Sequence, residues 1–262
     1  MSAPADILVE IVAKRRAGFE AGDLEVPAGV HHDSLPATHP FLAALTRARP
    51  AIVAEIKMGS PRIGSLVGRV DPVAQARIYR DGGAAALSVV VEPYFFGGSY
   101  QLLESCKEAA GLPTIAKDFV VSTKQIDGAR AAGADAVLLI ASLYSAQDLL
   151  AWSGYARGQG LVPLIETHDA EDRAKLEGHE WELVGVNNRD LRTFEVDLQS
   201  SIAALPELPS SALKVAESGI ASGSDVAGLA AAGFDAFLIG ESLLLADDPA
   251  AKLAELLSTG KP

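Results

Sequence analysis

Residues 51–65 read AIVAEIKMGSPRIGS. The run begins as an apolar strand, Ala51-Ile52-Val53-Ala54 with Ile56 beyond, and two charges enter it at Glu55 and Lys57. Side chains two apart on a strand point to the same face, so the acid and the amine share one side. Gly59-Ser60-Pro61 and then Gly64 force a turn. A charged pair at the carboxyl end of an apolar strand is costly unless it is paired or used. An ordinary strand-end ion pair would also meet that condition, so the rest of the chain has to decide.

From residue 51 onward, apolar runs rich in β-branched residues alternate with helical patterns. The runs lie at 51–56, 85–91, 114–116, 136–140, 161–165, 183–186, 213–216 and 236–239. Helical patterns occupy 72–80, 100–110, 123–132, 146–155, 170–176, 198–205, 225–232 and 249–257. Gly82-Gly83, Gly133 and Gly233 each precede a strand and supply the residue that ends a helix. Such alternation implies βαβ units and a parallel sheet. Eight units in about 250 residues predict a (β/α)8 TIM barrel. An open doubly wound sheet fits less well, because no Gly-rich dinucleotide fingerprint follows the first strand. Before the barrel, apolar positions at Ile7, Leu8, Ile11, Val12 and Phe19 predict an amphipathic helix over 5–21, and a shorter one follows over 41–48. The expected organisation is one barrel domain over 1–262, with 1–48 as an N-terminal helical extension packed on it.

The 262 residues are 49% hydrophobic and 21% charged, a core-rich globular balance. The net charge of −12 argues against a nucleic-acid surface or an anionic membrane as partner. No apolar stretch approaches the roughly eighteen residues of a membrane span, and the N-terminus does not have the order of a signal peptide. The lone Cys106 excludes an intrachain disulfide and fits a reducing, cytoplasmic setting, with the thiol itself read as buried or on a helix face. The chain is expected to be a monomer or a weak homo-oligomer.

In a barrel, polar residues that interrupt strand ends are the ones to weigh. They are Glu55 and Lys57 on the first strand, Glu92 on the second, Lys117-Asp118-Phe119 on the third, and Glu166 on the fifth. The sixth ends in Asn187-Asn188-Arg189-Asp190, the seventh in Glu217-Ser218-Gly219, and the eighth in Gly240-Glu241-Ser242. The fourth ends apolar at Leu138-Leu139-Ile140. Taken singly, a strand-end lysine is more often a salt-bridge partner than a catalyst. Their convergence on one rim points to a site. The turns after strands seven and eight stand where barrels commonly bind phosphate, and the loop 93–99 offers an aromatic wall. These features suggest acid–base chemistry on a small phosphorylated substrate without a metal. His31-His32-Asp33 lacks a spaced third ligand and is a weak metal candidate. His168 could titrate usefully or could serve the start of a helix; His179 reads as surface.

AEIKMGSP (54–61), TIAKDF (114–119), LIETHD (164–169), GVNNRDL (185–191), AESGI (216–220) and FLIGESL (237–243), in this order, resemble the indole-3-glycerol phosphate synthase family of tryptophan biosynthesis. The resemblance implies the substrate 1-(2-carboxyphenylamino)-1-deoxyribulose 5-phosphate and a ring closure with loss of carbon dioxide and water, with no cofactor and no metal. It implies Lys117 as general acid toward the carbonyl and Glu166 as acid/base of dehydration. Lys57 would hold the substrate carboxylate, with Glu55 positioning it. Asn187 and Arg189 would orient the anthranilate part, and Glu217 would complete the polar ring. Phosphate would meet Ser60, beside Pro61, together with Ser218, Gly219, Gly240 and the Glu241 backbone. Phe96, Phe119, Leu138 and Leu238 would form the slot for the aromatic ring. The chain departs from the family pattern at Met58-Gly59, Arg62-Ile63 and Val91. Two other readings remain open on the residues alone: a Schiff-base, aldolase-like sugar-phosphate barrel using Lys57 or Lys117, and a non-catalytic phosphate-ligand-binding barrel.

Overall fold

A computed structural model of the chain describes residues 7–21, 35, 38–189 and 195–258. Its centre is a closed barrel of eight parallel strands. They are β1 (Ala51–Ile56), β2 (Ala86–Val90), β3 (Thr114–Lys117), β4 (Ala136–Ile140), β5 (Val162–Thr167), β6 (Leu183–Asn187), β7 (Leu213–Glu217) and β8 (Ala236–Ile239). Each pairs with its neighbour in sequence, and β8 closes on β1 in the register Ala51↔Ala236 to Ala54↔Ile239. Helices α3 (Pro72–Asp81), α4 (Tyr100–Ala110), α5 (Thr123–Ala131), α6 (Ala146–Gly158), α7 (Ala170–Ala174), α8 (Leu198–Ala204) and α9 (Gly223–Ala232) follow strands one to seven in turn. After β8 come the four-residue α10 (Glu241–Leu244) and α11 (Pro249–Ser258). The barrel expected from the sequence is the one observed.

Period-two alternation divides the apolar residues into two cores. Ala51 and Val53 of β1 point inward with Ile115, Leu138, Leu164, Val215 and Leu238, while Phe41 and Leu45 of α2 (Pro40–Arg47) plug the bottom. Ile52, Ala54 and Ile56 point outward to a second core between strands and helices, which includes Leu87, Leu139, Val184 and Phe237. The first turns of the helices are held locally. Asp71, Ser99, Ser122, Ser145, Asp169, Asp197 and Ser222 each accept a hydrogen bond from a first-turn backbone N–H of the helix they precede.

Strands β3, β5, β6 and β7 run past their apolar cores to include Lys117, Glu166, Asn187 and Glu217. Charge does not end a strand whose backbone is still paired, on both sides at Glu166 and Glu217 and on one side at Lys117 and Asn187, so these side chains sit on ladder positions. Glu92 is different. It is fully buried, and its carboxylate accepts the backbone N–H groups of Tyr94, Phe95 and Phe96 at 2.9, 2.7 and 3.0 Å. It fastens the aromatic loop rather than facing the barrel mouth. Cys106 is buried on α4, where burial pushes its thiol up to about 12. His179 is exposed. His31-His32-Asp33 and Asp190 lie outside the described residues.

Helix α1 (Ile7–Ala21) crosses the top of the barrel. Its Arg15 is buried and pairs with the buried Asp118, whose carboxylate also accepts from the Gln125 amide at 2.7 Å. Breaking a buried pair from one side leaves an uncompensated charge. Asp118→Asn should therefore lower stability by about 3 kcal/mol, read as the shift in the urea unfolding midpoint. A loss below about 1 kcal/mol, the scale of an exposed pair, would mean that this contact does not anchor α1.

Candidate active site

The inward positions at the carboxyl end of the odd-numbered strands are Glu55, Lys117, Glu166 and Glu217. Inward side chains in such barrels stack in layers drawn from alternate strands, so these four form one layer. Their register partners on the even strands are Ser88 beside Glu55, Val90 beside Lys117, Ile140 beside Glu166, and Leu238 beside Glu217. One ionic layer thus rests directly on the apolar interior of the barrel.

Lys117 Nζ lies 3.1 Å from Glu166 Oε2 and 3.1 Å from Glu217 Oε2. Asn187 Nδ2 donates to the other oxygen, Glu166 Oε1, at 3.1 Å. Lys57 Nζ donates to Glu55 Oε1 at 2.7 Å, the pairing that their spacing predicts. Two glycines make room for these acids. A Cβ at Gly185 would stand 2.2 Å from Glu217 Oε1, and one at Gly240 would stand 2.3 Å from Glu55 Oε1. Neither position tolerates a side chain unless a carboxylate moves.

Two buried carboxylates on one ammonium are not equivalent. Burial would raise Glu166, but Lys117, His168 and the Asn187 amide outweigh it and pull that carboxyl below its ordinary value. Burial raises Glu217, and the nearby Glu166 charge adds to it, so Glu217 lies well above the usual carboxylate range. Glu217 Oε1 has no hydrogen-bond partner among the described residues. Burial would lower Lys117, yet Glu166, Glu217 and Glu55 together drive it above its ordinary value. The ammonium form is therefore the resting state, held between an ionised acid and a protonatable one.

Around this layer is a cavity of about 380 Å³. All seventeen positions implied by the family resemblance line it: Glu55, Lys57, Ser60, Pro61, Phe96, Lys117, Phe119, Leu138, Glu166, Asn187, Arg189, Glu217, Ser218, Gly219, Leu238, Gly240 and Glu241. Phe96 and Phe119 form one wall, with ring centroids 5.9 Å apart. Ser60 Oγ accepts the Ile63 N–H at 3.2 Å and closes the first loop on itself. In the same cavity the chain turns through left-handed backbone at Ser218 (φ 66°) and Gly219 (φ 74°). Arg62 of the first loop and Arg189 both reach Glu241, Arg62 Nε at 3.1 Å and Arg189 Nη2 at 3.4 Å from Oε2.

Three contributions escaped the reading of the sequence. Ile7, Leu8 and Ile11 of α1 line the cavity as an apolar roof. Their helical spacing identified a buried face but not the surface that it covers. Arg62 enters as a second cation beside Arg189, and His168 packs against Glu166 at 3.3 Å. Among the described residues no group of three or more His, Cys, Asp or Glu is arranged to hold a metal ion, and no helix is long and apolar enough to cross a membrane.

Fold and site together define a (β/α)8 barrel with an acid–base layer at its carboxyl-end mouth. The family model for indole-3-glycerol phosphate synthase matches residues 8–256. An indole-3-glycerol phosphate synthase of Rhodopirellula baltica is 42% identical over 249 residues, covering 93% of this chain and 94% of that protein. One of Albidiferax ferrireducens is 39% identical over 261 residues, covering 97% and 99%. The chain belongs to the indole-3-glycerol phosphate synthase family. Among solved structures, thiamine phosphate pyrophosphorylase from Pyrococcus furiosus matches with a TM-score of 0.60 at 16% identity, covering 81% of this chain and 96% of that one. The 3-hexulose-6-phosphate synthase of Salmonella typhimurium matches at 0.61 and 15%, covering 80% and 97%. At those identities the likeness is one of fold.

The raised Glu217 has a consequence for stability. An acid whose folded pKa exceeds its unfolded value favours the folded state at low pH, and that benefit is lost as pH rises from about 4.5 through the folded pKa. Glu217→Gln removes this ionisation. Its stability advantage over the parent should widen as pH is raised from 5 to 8, by about 1.4 kcal/mol for each unit of the shift removed. Thermal unfolding across that range checks it. A pH-independent difference would show that Glu217 titrates normally.

Proposed function

We propose that the chain catalyses the closure of 1-(2-carboxyphenylamino)-1-deoxyribulose 5-phosphate to indole-3-glycerol phosphate, carbon dioxide and water. The observation that carries this reading is the Lys117 ammonium held between Glu166 and Glu217 beside an aromatic wall, in a chain matched over nearly its whole length by the family.

Lys117 donates its proton to the substrate carbonyl oxygen, which makes the carbonyl carbon electrophilic. The ring carbon that bears the carboxylate attacks, a carbon–carbon bond forms, and carbon dioxide leaves to restore the aromatic ring. The hydroxyl produced at the former carbonyl then departs as water, with Glu166 moving the protons. Lys57 holds the substrate carboxylate until it is lost, and the 2.7 Å contact from Glu55 fixes that ammonium. Asn187 orients Glu166, and Glu217 sets the charge on Lys117. Phe96, Phe119, Leu138 and Leu238, under the α1 roof, flank the aromatic ring. The phosphate lies toward Ser60, Pro61, Ser218, Gly219, Gly240 and Glu241, where Arg62 and Arg189 outweigh the one carboxylate.

A Schiff base on Lys117 is poorly supported. Such a lysine needs a depressed pKa to attack as the amine, and the three acids around Lys117 act in the opposite sense.

The test is the growth of indole-type fluorescence when the purified chain meets the ribulose phosphate. Lys117→Met should lower turnover by at least about 10³-fold with the fold intact, as judged by circular dichroism. Glu166→Gln should lower kcat by about 10²-fold or more while KM stays close to the parent value. Binding without turnover in the parent would favour the non-catalytic barrel. Turnover near the parent rate in Lys117→Met would remove that residue from its role.

A further inference from the structure

Directly behind Glu166 lies a half-buried imidazole that the steps above leave without a task. His168 stands just past the end of β5, and its side chain is 16% exposed. Nε2 is 3.3 Å from Glu166 Oε1, and Nδ1 is 3.7 Å from Asp172 Oδ2. Asp172 is itself buried. It accepts the His168 backbone N–H at 3.1 Å and Lys175 Nζ at 3.2 Å. Lys175 also donates to the Ala141 carbonyl at 3.0 Å, just past the end of β4. Charge therefore alternates outward from the cavity along Lys117, Glu166, His168, Asp172 and Lys175.

A neutral imidazole carries one N–H and one bare nitrogen. Both flanks of this ring are carboxylates, which only accept. Either neutral tautomer turns a lone pair toward one carboxylate, and only the imidazolium presents positive charge and an N–H toward both. Neither ring nitrogen makes an aligned hydrogen bond to any described residue, so the ring meets Glu166 and Asp172 as ion-pair contacts at 3.3 and 3.7 Å. The charged groups that face the ring are Glu166 from β5, Asp172 from α7 and Glu217 from β7, with Lys175 behind Asp172 and Lys117 across Glu166. Burial alone would lower the ring's pKa, but Asp172 and Glu166 outweigh it and raise it.

We infer that His168 is a positioning residue whose imidazolium keeps Glu166 ionised and oriented while Lys117 gives up its proton. This inference rests on the reaction proposed above. In the resting site Glu166 has a cation on each side. Lys117, on Oε2, is the one discharged when it protonates the carbonyl. From then on Oε1 keeps the Asn187 amide and the His168 imidazolium, so the carboxylate is not left buried beside a neutral amine. The support is present below the pKa of the ring and fades as pH rises through it.

Two measurements test this. In ¹⁵N-histidine NMR of the full chain without substrate, the resonance absent from His168→Gln identifies the ring. It should titrate above its ordinary value of 6.5, and it should fall by about one unit or more in Glu166→Gln and again in Asp172→Asn. Titration at or below 6.5, or no response to Glu166→Gln, would overturn the inference. Neither outcome needs turnover, so failure of the proposed reaction is distinguished from failure of the imidazolium pair. In the fluorescence assay, His168→Gln keeps an N–H donor but not the charge. Its kcat should drop about tenfold, its KM should stay within about twofold, and the acidic limb of its kcat profile should move to higher pH. A pH profile and kcat like the parent's, with only thermal stability reduced, would show a structural histidine and overturn the inference.

Discussion

An ammonium equidistant from two buried carboxylates organises the mouth of this barrel. Glu166 and Glu217 are almost wholly withdrawn from water, and two anions so placed could not both ionise without a cation between them. Lys117 supplies that cation, and its own burial is tolerated only because the acids surround it. Removal of any one member exposes the others to an unbalanced charge in a low dielectric. The asymmetry between the acids follows from their other neighbours. Asn187 and His168 add to Lys117 on the Glu166 side, whereas an oxygen of Glu217 has no donor. A carboxylate ready to work and one ready to hold a proton thus share a single ammonium.

The backbone makes this arrangement possible in two ways. Lys117, Glu166 and Glu217 end strands that do not adjoin in the sheet, so they meet only because the barrel closes. The acids also need space inside a packed cylinder, and Gly185 and Gly240 provide it by having no Cβ where Glu217 and Glu55 lie. Above the ionic layer, α1 lays Ile7, Leu8 and Ile11 over the cavity and is tied down by the buried Arg15–Asp118 pair. Asp118 adjoins Lys117 in sequence, so the anchor of the roof and the proposed acid occupy the same strand end. One side of the cavity is aromatic and apolar. The other carries Arg62 and Arg189 about Glu241, which suits a substrate with an aromatic ring at one end and a phosphate at the other.

Much of this was legible in the residues. Alternating apolar runs and helix-ending glycines gave the barrel, and parity along the first strand placed Glu55 and Lys57 on one side. Polar groups at strand ends marked the mouth, and every position implied by the family resemblance lines it. Glu92 marks the limit of that reasoning. It stands at a strand end like the others, yet the Pro93–Gly98 turn folds back over it and its carboxylate is consumed by three backbone N–H groups. Strand-end position indicates which residues can face the mouth, while the loop that follows selects those that do.

Sequence alone determined the element order, the shared face of Glu55 and Lys57, the glycines that end several helices and the set of groups gathered at one rim. Those are local or periodic properties, fixed by backbone alternation and by short-range hydrogen bonding. The tertiary structure decided which acid faces which base, and therefore which carboxyl is pulled down and which is pushed up. It alone showed that the N-terminal helix roofs the cavity, that Arg62 joins Arg189 on Glu241, and that His168 stands between two carboxylates. The reason is physical: electrostatic and packing energies depend on distances between residues far apart in the chain, and those distances exist only once the barrel has closed.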